Sequence, residues 1–335
     1  MNLKELAKEL NLSISSVSRA LRDSKEISVS TKKIVLAKAK ELNYHANPFA
    51  SNLRRQESKT IAVVIPEIAN NFFSLAINGA ESYAQKKDYH VLIYQTHDDL
   101  EQEISTLKHL QNGRVDGILI SLSSKTANTD HLKDIKNKGI PMVFFDRVAE
   151  NINAPKITTN DYESGFKATE HLIENDCKKI AFLSISNKLS IANKRMNGYL
   201  DAAKKHGIAA DDKLIITCDT DKEANKILIK KLLKRPDRPD AILACVEELA
   251  VSSYVICQEL KLNIPRDIKI ISFSNLQTAD ILNPSLTTIT QPAYEIGREA
   301  ASVLFHLMEN KGTLQRCGDV VLNSELIVRN STKMA

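Results

Sequence analysis

Tryptophan is absent from the 335 residues, and only five cysteines, eight histidines and ten glycines are present. Cys177, Cys218, Cys245, Cys257 and Cys317 are odd in number and widely spaced, with no C-x-x-C pair, so neither a disulfide framework nor a zinc site is expected. No apolar run approaches the roughly 18 residues that span a bilayer, and the opening MNLKELAKEL is charged and amphipathic, unlike a secretory signal. A reducing cytoplasm is the expected location, without a membrane partner. Phosphate-cradling loops are missing as well. Neither G-x-G-x-x-G nor G-x-x-x-x-G-K-[ST] follows the first apolar strand, and no G-x-S-x-G or H-E-x-x-H occurs. The chain is therefore expected to be no enzyme, with no catalytic residue, no metal and no cofactor.

What positive charge there is lies at one end. Of the 46 Lys and Arg, 11 fall within residues 1–58, against 6 of the 41 Asp and Glu; the remaining 35 and 35 cancel. The net charge of +5 thus belongs to the first sixth of the chain. A small basic module points to a polyanion, either nucleic acid or a membrane surface, with a merely solvated basic face as the plain alternative.

Pattern decides among these. Asn2 and Glu5 have capping-box spacing, and Leu3, Leu6, Ala7 and Leu10 share one face, which predicts a helix over about 3–10. Ser13 is a natural N-cap for a second helix over about 14–22, with Ile14, Val17, Ala20 and Leu21 at helical positions. A third helix follows Ser28, turning Ile34, Val35, Ala39 and Leu42 inward and leaving Lys32, Lys33, Lys38 and Lys40 largely exposed. Three short helices with a tight turn between the first two form a helix-turn-helix, whose second helix enters the major groove. Arg19 suits a bidentate contact with guanine, Ser15 can bond several bases, and Ile14 packs either on a thymine methyl group or in the small core. Ser13, Ser16 and Ser18 suit phosphates, although Ser13 reads equally as a cap alone; Val17 and Leu21 read as core.

The runs LKELAKELNLSISSVSRAL, IS-x-x-TK and ELNYHANPFASNLRR, joined in register, resemble the DNA-binding head of the LacI/GalR family of bacterial transcription regulators. Between Tyr44 and Lys59 lies a polar connector in which Asn47-Pro48 is a good helix start, yet it is too short and polar to be stable helix alone. The resemblance implies a hinge that orders on DNA, paired with its dimer mate in the minor groove, with Leu53 as the wedge between central base steps. An ordinary packed linker leucine is the alternative. Many relatives carry arginine two residues earlier, where this chain has Ser51, so Arg54 or Arg55 is expected to supply that contact.

From Thr60, short β-branched apolar runs alternate with helical stretches: TIAVVIP, YHVLIYQT, VDGILISL and IPMVFFD, then KKIAFLSI, KLIIT, DAILACV and IKIISF. Such runs are buried parallel strands with crossover helices, which predicts two doubly wound α/β lobes. The segments PEIANNFFSLAINGAESYAQKKDYHVLIYQT, KRMNGYLDAAKKHGI and NPSLTTITQPAYEIGREAASVL extend the resemblance over roughly residues 3–330. The expected fold is an all-α helix-turn-helix head (1–46), a hinge (47–59) and an α/β two-lobed, periplasmic-binding-protein-like effector domain (60–330). Lobe one spans about 60–157 and 290–317, lobe two about 158–289 and 318–330.

Ligands of such lobes sit at the carboxyl ends of the strands. Asp146 and Arg147 end one strand, Asn160 and Asp161 open the second lobe, and Arg195 begins the segment resembling the family's effector motif. Carboxylates and guanidinium forks suit vicinal hydroxyls, with Phe72 and Phe73 as an apolar wall. Asp146 with Arg147 reads alternatively as a structural ion pair, and Phe73 as core. Asn71, Val246-Glu247 and Ser274-Asn275 depart from the family's usual residues, with Glu247 and Asn275 still able to reach a hydroxyl. The expected function is a DNA-binding regulator, a homodimer on a pseudo-palindromic operator, controlled by a small effector that is a sugar or sugar derivative. A nucleobase or nucleoside is the alternative effector, and a cytoplasmic sugar-acting enzyme the alternative class.

Overall fold

A computed structural model of the chain describes residues 2–44, 57–208, 211–219, 221–310 and 318–333. The chain divides into two units, Met1–Ser58 and Lys59–Ala335. The first holds α1 (Leu3–Glu9), α2 (Ile14–Leu21) and α3 (Val29–Glu41). Asn2 Oδ1 accepts from the Glu5 N–H at 3.0 Å while Glu5 Oε2 accepts from the Asn2 N–H at 2.9 Å, closing the capping box. Ser13 and Ser28 cap the next two helices by accepting from the N–H groups of Ser16 and Thr31. Asn11, at φ +51°, supplies the left-handed residue of the turn. Leu6, Ala7, Val17, Ala20, Val35 and Ala39 form the core. Ile34, expected inward, is 59% exposed. Val35, Ala39 and Leu42 make the inner stripe at i, i+4 and i+7, and Ile34 lies about 100° round the helix from its start.

In the second unit, lobe one begins with β1 (Thr60–Ile65), α4 (Asn71–Gln85), β2 (His90–Gln95), α5 (Leu100–Leu110), β3 (Gly117–Ile120), α6 (Asp130–Asn137), β4 (Met142–Phe145) and β5 (Lys156–Thr159). The chain crosses into lobe two through α7 (Asp161–Glu174), β6 (Ile180–Ser184), α8 (Ser190–Lys205), β7 (Ile215–Thr217), α9 (Lys222–Leu233), β8 (Ala241–Ala244), α10 (Glu247–Glu259), β9 (Lys269–Phe273) and β10 (Thr287–Thr290). It returns through α11 (Ala293–Glu309) and β11 (Val320–Leu322) to lobe one, then ends in lobe two with β12 (Glu325–Ile327). The sheets have orders β11-β5-β4-β3-β1-β2 and β12-β10-β9-β8-β6-β7. Every pairing is parallel except β10 with β12.

The two expected sheets are present, but a lobe boundary moves. Residues 320–322, assigned from sequence to lobe two, pair with β5 in the first sheet, so only β12 returns to the second. β5 likewise carries lobe one to Thr159, beyond the expected 157. The edge strands β11 and β12 are three residues each, and β11 pairs with a strand more than 150 residues earlier in the chain. α11 packs Ile296, Ala300 and Leu304 into a core with Ile61, Phe73, Ala76 and Phe145. In lobe two, α7 and α8 touch backbone to backbone. A Cβ on Gly165 would lie 2.3 Å from Arg195 O, and one on Gly198 2.1 Å from Tyr162 O, so only glycine permits this approach. Among the described residues, no helix is long and apolar enough to cross a membrane, and no group of three or more His, Cys, Asp or Glu is placed to hold a metal ion.

Candidate functional site

The N-terminal unit leaves the first turns of α2 in water. Ile14 is 47% exposed while Val17 and Ala20 are buried, so Ile14 is a surface residue and its reading as core does not hold. Ser13 Oγ lies 2.8 Å from both Ser15 Oγ and Ser16 Oγ, clustering three hydroxyls at the helix start, where backbone N–H groups favour anions. Ser18 is half-buried and bonded to Arg22 through both its carbonyl and its hydroxyl. Arg19 Nη1 pairs with Glu26 at 2.8 Å, with the arginine side chain 56% exposed. An exposed pair of this kind contributes at most about 1 kcal/mol. A bidentate contact to guanine discriminates by about 1–3 kcal/mol, so Glu26 does not withhold Arg19 from a base. Asn47, Leu53 and Arg54 lie outside the described residues.

Between the lobes, two adjoining chambers share Asn70, Phe73, Arg147 and Val246 as walls. The inner one is small, about 40 Å³, and brings together Phe72, Asp146, Arg195, Glu247, Phe273 and Asn275 with Gln291. Arg195 is 2% exposed. Its Nε donates to Asp161 Oδ1 at 2.7 Å, its Nη1 to the Cys245 carbonyl at 2.6 Å, and its guanidinium stacks 4.0 Å from the centroid of the Phe273 ring. Nη2 is buried with no protein partner, as are Asn275 Oδ1 and Asp161 Oδ2. Unpaired buried polar atoms carry a desolvation cost of about 1–3 kcal/mol each, and of the three only those of Arg195 and Asn275 belong to residues lining the chamber.

Asp146 stands in the same chamber with a left-handed backbone, φ +59°. Burial pushes its carboxyl up to about 6, although Arg147 and Arg195 pull the other way. The reading of Asp146 with Arg147 as an ion pair holds, loosely, with Arg147 Nε 3.9 Å from Asp146 Oδ2. The closer partner of Arg147 is Asp98, to whose Oδ1 it donates through Nη1 at 2.7 Å, and Asp98 also accepts from the N–H and the hydroxyl of Ser124. Phe73 meets Phe72 and Phe145 edge-on at 5.3 and 6.3 Å, serving as core and wall together.

One sequence expectation needs correction and one is refined. Asn160 does not line either chamber; its Oδ1 accepts from the Ser324 N–H at 2.8 Å and from the Ser164 hydroxyl, holding a lobe crossing. Glu247 does line the inner chamber, but Asn71 Nδ2 donates to its Oε1 at 2.7 Å and Ser274 Oγ to its Oε2 at 2.9 Å. Its carboxylate ties the lobes together, and each oxygen keeps a second lone pair for a ligand hydroxyl. Three of the departures from the family pattern thus bond to one another. Asp98 and Gln291 were not singled out, although both follow strand ends and the rule of strand carboxyl ends reaches them.

The outer chamber, about 240 Å³, is lined by Glu67, Gln95, His97 and Asp98 from lobe one and by Ile185, Asp219, Lys222 and Glu248 from lobe two. Glu248 Oε1 accepts from Ser252 at 2.8 Å. Asn225, fully buried, bonds the backbone of Asp219 at 2.9 and 2.8 Å and so fixes the start of α9.

Residues 2–47 match the family described as "Bacterial regulatory proteins, lacI family", and residues 58–318 match "Periplasmic binding proteins and sugar binding domain of LacI family". The chain is 31% identical over 331 residues to the HTH-type transcriptional repressor CytR of Escherichia coli (strain K12), covering 99% of this chain and 96% of the relative. It is likewise 31% identical to the Ribose operon repressor of Haemophilus influenzae, over 98% of each. The crystal structure of a LacI family transcriptional regulator from Enterococcus faecium, with bound ribose, has a TM-score of 0.73 and 26% identity, over 82% of this chain and 98% of that one. Because each match falls on one of the two units that the fold separates, and relatives align end to end, the chain belongs to the LacI family of bacterial transcription regulators and joins a DNA-binding domain to a ligand-binding one.

Proposed function

We propose that this protein is a cytoplasmic homodimeric repressor that reads a pseudo-palindromic operator and is switched by a carbohydrate held between its lobes. One short recognition helix gives little specificity, whereas two heads on a two-fold axis read two half-sites. In this reading Ile14, Ser15 and Arg19 meet base edges and Ser13, Ser16 and Ser18 meet phosphates, with Asn47, Leu53 and Arg54 at the minor groove. The observation that carries the effector assignment is the inner chamber. One buried donor (Arg195 Nη2), one buried acceptor (Asn275 Oδ1) and the Asp146 carboxyl sit among Phe72, Phe73 and Phe273, a set that adjacent hydroxyls on a sugar ring satisfy. Ribose in the Enterococcus relative and in the name of the Haemophilus one supports the same class. Effector binding changes the angle between the lobes and hence the spacing of the two heads.

The test is selection of sites from a random DNA library by the full-length protein at two salt concentrations, followed by titration of the selected site with D-ribose and other sugars. An inverted repeat whose affinity responds to a sugar is the expected result. Single half-sites would exclude the dimeric reader, and indifference to every sugar would exclude the carbohydrate effector.

A further inference from the structure

Two helices begin opposite each other across the cleft. α4 of lobe one starts at Asn71, after β1 and its turn, and α10 of lobe two starts at Glu247, just after β8. Asn70 caps α4 by accepting from the Phe72 N–H, whereas Val246 offers α10 no side-chain acceptor. Each helix start carries roughly half a positive charge, so two starts that meet across a cleft repel unless an anion stands with them. Glu247 supplies that anion. Its Oε1 accepts from Asn71 Nδ2 at 2.7 Å and its Oε2 from Ser274 Oγ at 2.9 Å. The two contacts are not equivalent. Ser274, in lobe two after β9, is buried, and its hydroxyl also accepts from the Leu276 N–H at 3.0 Å, which leaves its own hydrogen for Glu247. Lobe two therefore presents a carboxylate already aimed, and Asn71 is the lobe-one side chain that closes the bond.

Other ties across the cleft are weaker. Ser186 Oγ donates to the Ser124 carbonyl at 3.4 Å, a long bond between neutral groups, and Lys194 pairs with Glu150 at 3.2 Å with both side chains about half exposed. The bond from Asn71 to Glu247 is charge-assisted and half-buried, and bonds of that kind are about twice as strong as neutral ones. We propose that Asn71, Glu247 and Ser274 form a latch, a bond internal to the chain that biases the lobes toward the arrangement described above and thereby sets the operator affinity of the effector-free protein. The latch stands whichever class of effector the cleft takes, and its link to DNA rests on the coupling of lobe angle to the heads proposed above. An equilibrium held by one such bond moves about tenfold when the bond is lost.

Double electron–electron resonance on the full-length protein without effector reads the lobe separation directly. Spin labels go on Glu101→Cys and Glu223→Cys, exposed positions at the starts of α5 in lobe one and α9 in lobe two. Cys177, Cys218, Cys245 and Cys257 are buried, so a Cys317→Ser background suffices, with labelled subunits diluted among unlabelled ones. Asn71→Ala should raise the ratio of the longer to the shorter distance about tenfold, and Asn71→Asp, which sets two carboxylates against each other, should raise it further. Adding Glu247→Gln to Asn71→Asp reverses donor and acceptor: the new amide donates to the new carboxylate, and its oxygen still accepts from Ser274. The double variant should return the distances toward those of the wild type, a rescue that altered local packing does not produce. Operator affinity, read by fluorescence anisotropy on the selected site, should change in step. Distances unmoved by Asn71→Ala and Asn71→Asp, or a double variant as open as Asn71→Asp alone, overturn the latch. Distances that shift while operator affinity stays constant overturn its link to DNA. No sugar enters the measurement, so its outcome is independent of the carbohydrate reading.

Discussion

The Arg195 guanidinium is held by Asp161, by the Cys245 carbonyl and by the face of Phe273, with Nη2 left over for a ligand. Replacing it with alanine removes that donor and strands Asp161, and breaking a buried pair in this way costs about 3–5 kcal/mol. Arg195→Ala should therefore lower the thermal midpoint and abolish the effector response. Adding Asp161→Ala should recover much of the midpoint and none of the response, as read by calorimetry and operator release. Asp146 gives a pH signature. Its folded carboxyl titrates near 6 against an ordinary value of 3.8, so the native state keeps a proton that the unfolded chain has lost. Stability from this group is full below about 4 and is lost as pH rises through about 6. A sugar hydroxyl donating to the carboxylate favours the charged form, so binding expels the proton and affinity rises with pH up to about 6. Between pH 7.5 and 5 the effector should weaken by up to about tenfold, and Asp146→Asn should flatten the profile. On the DNA side, Arg19→Ala should cost about 1–3 kcal/mol on the operator and relax one base position, a pattern that competition with single-base operator variants resolves.

At the scale of elements, α7 and α8 meet through Gly165 and Gly198, and that contact sets where α8 delivers Arg195. Gly165→Ala drives a methyl group against Arg195 O and should cost about 1–3 kcal/mol while weakening the effector, with DNA affinity in its absence preserved. Much at this scale is legible from the chain. Asn2, Ser13 and Ser28 announce three helix starts because capping is local, and the β-branched runs announce the central strands because burial on both faces requires them. β5, β11 and β12 carry no such signal, being three or four residues long, and β11 is placed by β5, more than a hundred residues away. The site divides in the same way. Asp146, Arg147 and Arg195 follow from strand ends and motif, whereas the bond that orients Glu247 comes from Asn71, 176 residues distant, which no local pattern reveals.

At the scale of the whole molecule, the positive excess lies within residues 1–58 and the remainder is balanced. Operator affinity should consequently fall by roughly a thousandfold or more between 50 and 200 mM salt, the slope expected when a pair of heads neutralises about six to ten phosphates. Residues 59–335 contribute no net charge to that slope.

Because α11 and β11 belong to lobe one yet follow β10 in the chain, lobe one, begun first, is still incomplete when all of lobe two but β12 has been made. The body of lobe two has left the ribosome before Ile296, Ala300 and Leu304 exist to cover Phe73 and Ala76. Until then the first-made half carries an open apolar face, and a nascent chain stopped at residue 290 should be retained by chaperones or aggregate, while one extended to residue 322 is released.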